Sequence, residues 1–133
     1  MSLDPTYELE QRFLSCKTLI EAQELVANCR DNEVMISIHD PNGVYIQVSE
    51  SSMAVVKYEA EELIGNSAYD YFHPEDFQTI LKSHAKISIK PEIDRVKYRI
   101  ITKTKEALNA YTQSRQIKDP SGLDFILAIT TIS

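Results

Sequence analysis

"EVMISIHDPNGVYIQVSESS", Glu33 to Ser52, is the stretch on which the fold turns. Val34, Ile36 and Ile38 alternate with Met35, Ser37 and His39, the two-residue period of a strand. Asp40-Pro41-Asn42-Gly43 follows. Its proline presets φ and its glycine permits a positive φ, so the chain reverses and "VYIQV" returns as the second strand of a hairpin. Ser49 stands where it can cap the helical turns that come next.

Downstream, "SESSMAVVKYEAEELIG" reads as short helical turns closed at Gly65. His73-Pro74-Glu75-Asp76 starts a longer helix, with acids in the first turn where the macrodipole favours them. Phe77, Ile80, Leu81, His84 and Ile87 share one side of it, and it stops before Pro91. "RVKYRIITK", "ALNAYTQSRQIK" and "LDFILAITTI" are three more strands, the last two joined by a second Asp-Pro-x-Gly turn. The sum is an α+β domain with a five-stranded antiparallel sheet, its short helices and one longer helix gathered on one face. In the last strand Phe125, Leu127 and Ile129 oppose Ile126, Ala128 and Ile132, so that strand is apolar on both sides and predicts a sheet covered on both. The chain's N-terminal segment or a partner subunit must supply the second cover.

Upstream, Asp4-Pro5 opens an amphipathic helix expected to run from residue 5 to 28, with a polar connector to residue 32. Leu9, Phe13, Cys16, Ile20 and Ala27 form its apolar stripe, and the spacing also fits a short coiled-coil seam. The stripe either packs on its own domain or pairs two chains, with Leu9, Phe13, Cys16 and Ile20 at the dimer interface. Residues 1–4 read as a leader and 33–133 as the globular domain, a piece cut from something larger.

Composition narrows the functions. Fourteen Lys plus Arg against twenty Asp plus Glu leave a formal charge of -6 with no basic cluster, which excludes nucleic acid as a partner of this piece. Cys16 and Cys29, thirteen positions apart in one expected helix, cannot bridge, and they read as reduced thiols of a cytoplasmic protein. No apolar run reaches membrane-spanning length, and no membrane contact is expected. Three glycines, two in turns and one closing a helix, leave no material for a phosphate loop. No spacing of His, Cys or acids makes a metal site, and Glu59, Glu61 and Glu62 read as a solvated helix face.

Over residues 33 to 132 the sequence resembles a PAS sensor domain, through "DPNGVYIQVSESS", "YEAEELIGNS", "HPED" and "SRQIKDPSG" in that order. The resemblance is read as strongest to the PAS domains of bacterial signalling proteins such as histidine kinases and diguanylate cyclases. "YDYFHPEDFQTILKSH" also looks like the second PAS repeat of basic helix-loop-helix transcription factors, though no basic region is present. Two departures stand out: "TKTKEA" lacks the family's frequent turn glycine, which calls for another turn geometry, and Ser49 replaces a common Asn.

The resemblance implies a small cavity between sheet and helices, and a helix before the first strand that mediates homodimerisation. Flavin photosensors of the family carry a reactive Cys after the glycine of the Leu-Ile-Gly segment, where this chain has Asn66, Ser67 and Ala68. Haem-binding members carry an axial His where this chain has Leu81, with His84 one turn further on, and haem is not expected. Ala110, Thr112 and Ser114 share a strand face that the family alignment turns inward. The candidate cavity lining is therefore Met53, Tyr71, Ile80, His84, Tyr98, Ile100, Ala110, Thr112 and Ser114, for a small molecule whose identity is open. The expected function is a non-catalytic sensory and dimerisation module of a larger cytoplasmic signalling protein, relaying to an effector domain C-terminal to it. Two alternatives stay open: a small α+β enzyme with His84 as its catalytic group, and a purely protein-interacting PAS domain of a transcription regulator.

Overall fold

Two helices, not one, precede the sheet in the computed structural model, which describes residues 5–89 and 92–133. The leader, the Asp4 cap and the Pro91 stop lie outside the described residues. Helix α1 is Pro5–Ser15 and α2 is Leu19–Asn28. Thr18 makes the break: its hydroxyl accepts from the Glu21 N–H at 3.2 Å and donates to Glu21 Oε1 at 2.9 Å, the start signal Thr-x-x-Glu imposes. Arg115 then donates to the Phe13 and Leu14 carbonyls at 3.3 and 2.7 Å, which satisfies the open end of α1.

This break corrects the expected dimer seam. Phe13 and Cys16 are each only 1% exposed within their own chain, and Leu9 packs on the same core. Ile20, displaced by the break, is 56% exposed. The stripe serves its own domain.

The strands are β1 (Val34–His39), β2 (Tyr45–Val48), β3 (Asp94–Ile101), β4 (Ala107–Lys118) and β5 (Asp124–Ile132), in the sheet order β2-β1-β5-β4-β3 with every pair antiparallel. Val34, Ile36, Ile38, Ile117, Leu127 and Ile129 form the outer face, against Phe13, Ala22, Leu25 and Val26 of the N-terminal helices. The second cover predicted from β5 is thus supplied by the chain itself. On the inner face lie α3 (Ser52–Val56), α4 (Ala60–Leu63), two 3₁₀ turns (Ala68–Tyr71 and Pro74–Asp76) and α5 (Phe77–Ile89).

All three hairpin turns share one geometry. Gly43 and Gly122 have φ of 89°, and their N–H groups donate to the carbonyls of Asp40 and Asp119 at 2.9 and 3.0 Å. In the turn without glycine, Lys105 takes φ 69° and donates to the Thr102 carbonyl at 2.9 Å. No other turn geometry is needed; a lysine is simply held in the left-handed region. Ser49 also departs from expectation. Its hydroxyl accepts from the Ile36 N–H at 3.0 Å and meets Ser51 Oγ at 2.7 Å, so it ties the chain back to β1 instead of capping a helix.

His73 does begin the helical segment, accepting from the Glu75 N–H at 3.1 Å. The Asp76 carboxylate takes the Arg99 guanidinium at 2.9 Å and the Arg99 N–H at 2.8 Å, which pins this start to β3. Hydrogen bonding from Arg99 holds the Asp76 carboxyl below the usual carboxylate range.

Candidate functional site: an inner cavity lined by hydroxyls

Antiparallel register sets the inner-face side chains in rows across the sheet. Ser37 stands opposite Ala128, Ala128 opposite Ser114, and Ser114 opposite Asp94. Three small side chains in succession cannot reach the elements that cross above them. The result is a cavity of about 90 Å³, roofed by Ile80, Ser83, His84 and Ile87 of α5 and by Tyr69 and Phe72. It is large enough for a few waters.

Among the described residues no Lys, Arg, Asp or Glu lines this space; its polar groups are hydroxyls and imidazoles. Tyr98 OH, Thr112 Oγ1 and Thr130 Oγ1 form a chain across β3, β4 and β5, at 2.7 and 2.8 Å. His39 Nδ1 lies 3.3 Å from the Gly43 carbonyl, which can only accept. The proton therefore sits on Nδ1, and Nε2 accepts the Ser37 hydroxyl at 2.8 Å. Burial pushes the His39 pKa down to about 4, so the ring is neutral at physiological pH.

His84 sits at the edge. Its Nε2 donates to the Pro41 carbonyl at 2.7 Å, and in the neutral ring Nδ1 accepts the Tyr69 hydroxyl at 2.9 Å. The side chain therefore clips α5 to the β1–β2 turn. The turn is close beneath it: a Cβ at Gly43 would stand 3.2 Å from the Tyr69 ring. Ser83 Oγ donates to the Asp94 carboxylate, a second tie between α5 and the sheet.

Of the residues expected to line a cavity, Ile80, His84, Tyr98, Thr112 and Ser114 do so. Ile100 and Ala110 are buried in the packed part of the inner core. Met53 is 41% exposed. Tyr71 turns away, donating to the Glu62 carbonyl at 2.7 Å and packing edge-on against Tyr58. Lining residues absent from the sequence expectation include Ser37, His39, Tyr45, Tyr69, Ser83 and Thr130. The first two were detectable, since strand alternation had already placed them opposite Val34, Ile36 and Ile38. Tyr69 was not, because a 3₁₀ turn with three residues per turn, not an α-helix, decides which tyrosine faces α5. Both cysteines lie across the sheet from the cavity, and burial raises the Cys16 thiol to about 11. Leu81, at the haem-ligand position, points to solvent.

A family profile described as PAS domain matches residues 32–133. The chain belongs to the PAS domain family. This PAS domain is 28% identical over 102 residues to protein cycle of Drosophila melanogaster, covering 74% of this chain and 25% of that protein. It is 27% identical over 94 residues to basic helix-loop-helix ARNT-like protein 2 of Homo sapiens, covering 68% of this chain and 15% of the relative. Hypoxia-inducible factor 1-alpha of Gallus gallus is 29% identical over 73 residues, covering 55% and 9%. The chain thus spans a quarter or less of these relatives.

Among solved structures it is similar to the PAS-B domain of Drosophila melanogaster Cycle. The wild type with bound ethylene glycol is 27% identical, and a tryptophan-to-alanine variant with bound glycerol is 26% identical. Each superposes with a TM-score of 0.69 over 74% of this chain and 99% of theirs. These relatives are animal proteins, one of them named for its basic helix-loop-helix, and they correct the bacterial kinship expected from the sequence.

Proposed function

We propose that this PAS domain is a protein-interaction module that pairs with a second PAS chain inside a regulator of the basic helix-loop-helix PAS kind, working in the cytoplasm or nucleus without catalysis. The observation that carries the reading is the superposition on Cycle PAS-B over 99% of that chain. The surface for pairing is what the chain leaves uncovered. Leu14 and Ile20 stay exposed on the N-terminal helices, in place of the buried Phe13 and Cys16. Arg95 and Lys97 are exposed on β3, beside the half-buried Tyr111 and Gln113 of β4. Light scattering over a concentration series tests it. Dimers that Leu14→Asp with Ile20→Asp, or Arg95→Glu with Lys97→Glu, convert to monomers are the expected result. A strict monomer that also fails to pair with PAS domains of the similar proteins overturns it.

The cavity favours a second reading, in which the module senses a small molecule and an effector domain elsewhere in the parent protein responds. A ligand would act by binding two packings of the N-terminal helices with different affinity, since equal affinity shifts nothing.

A further inference from the structure

We propose that the inner cavity selects a small uncharged polyhydroxy compound, of the diol or triol class, through Tyr45, Ser114 and the Tyr98–Thr112–Thr130 hydroxyl chain. The inference rests on the sensing reading and names the class of ligand. It follows from counting hydrogen-bonding capacity. Tyr45 is 4% exposed and lines the cavity, and its phenol has no hydrogen-bond partner among the described residues. Burial, together with the neighbouring tyrosines Tyr98, Tyr71 and Tyr58, keeps the proton on that oxygen. Ser114, 7% exposed, likewise lines the space with its hydroxyl unpartnered among the described residues.

The third group comes from the hydroxyl chain. Tyr98, Thr112 and Thr130 own three hydroxyl protons but share two hydrogen bonds. Whichever way the chain runs, one of the three O–H groups is left over.

Three unused hydroxyl functions in about 90 Å³ define what can enter. An apolar guest would leave all three desolvated and unpaired, at a cost of about 1–3 kcal/mol each. An anion or cation would find no counter-charge among the described residues of the lining and would lose its hydration without replacement. Flavin and haem are several-fold too large. Hydroxyl groups on adjacent carbons, each both donor and acceptor, answer the lining without charge.

The test is a titration of the ¹⁵N-labelled chain with glycerol, with acetate and 1-propanol as controls, followed by amide shifts. Saturable shifts at Ser37, Tyr45 and Ser114 with glycerol, absent with acetate and at least about tenfold weaker with 1-propanol, are expected. Tyr45→Phe and Ser114→Ala, made separately, should each weaken glycerol binding about tenfold, the loss of one hydrogen bond, without lowering the unliganded melting temperature. Shifts that grow linearly with glycerol, equal response to acetate or 1-propanol, or unchanged binding in both variants overturn the ligand class. Light scattering with and without glycerol separates the two readings. Saturable binding that leaves pairing unchanged overturns the sensing reading and leaves the ligand class standing.

Discussion

The two faces of one sheet are built from alternate residues of the same strands, yet they hold different kinds of interior. On the outer face Ile36, Ile38, Leu127 and Ile129 meet Phe13, Ala22, Leu25 and Val26 in an aliphatic core. On the inner face, one residue along each strand, Ser37, His39, Ala128 and Thr130 border a cavity under tyrosines and α5. Close packing of aliphatic side chains gives stability with few polar groups to satisfy; among the described residues the exceptions on this side are Gln47 Oε1 and Arg115 Nε, buried without a partner opposite Ile38 and Leu127. The outer face therefore carries the stability that lets the inner one keep open space and unpaired hydroxyls.

The sharpest attempt to break this contrast is Phe13→Ala. Losing a buried phenylalanine from the aliphatic side should cost about 3–5 kcal/mol in urea unfolding. A cost under about 1 kcal/mol would mean that the N-terminal helices merely rest on the sheet.

Acid probes the inner side next. The folded His39 pKa, near 4, lies below the ordinary value of 6.5, so between those values the unfolded chain binds a proton that the folded one refuses. The contribution is complete above pH 6.5 and is lost as pH falls toward 4, about 3 kcal/mol in all and about 2 kcal/mol by pH 5. Urea unfolding at pH 7 and pH 5 should show that difference in the wild type and lose it in His39→Phe. An equal pH difference in both proteins would place the acid sensitivity elsewhere.

Tyr45→Phe sharpens the comparison at the cavity. Removing a buried hydroxyl without a partner should leave the ligand-free domain as stable as before or up to about 1 kcal/mol more stable. Destabilisation by that amount would show that the phenol is already satisfied. The smallest effect belongs to a site on neither face. Lys105→Gly relieves a left-handed lysine at the cost of backbone freedom, for a net gain of about 0.5 kcal/mol, readable as a small rise in melting temperature.

Legibility followed the range of each interaction. The β1–β2 hairpin, the His73 start and the β4–β5 turn were readable because proline, glycine and capping side chains act within four residues. The break at Thr18 is just as local, but the apolar stripe continues across it and hides the signal. The cavity was half legible: alternation put Thr112 and Ser114 on the inward face, and the family resemblance supplied the direction. Met53 and Tyr71 were misplaced because short helices and 3₁₀ turns take their orientation from what they pack on, which a local pattern does not contain.

By itself the sequence determined the strands, their turns, the two-sided burial of β5 and the absence of charge among the inward residues of β4. These follow from pleat and turn sterics that each segment carries with it. Only the tertiary structure decided that Ser37, Ala128 and Ser114 fall in one row, that α5 crosses above them, and that Phe13 and Cys16 face their own sheet. Register and helix crossing join residues up to about a hundred positions apart, and that distance is closed by packing, not by any local preference.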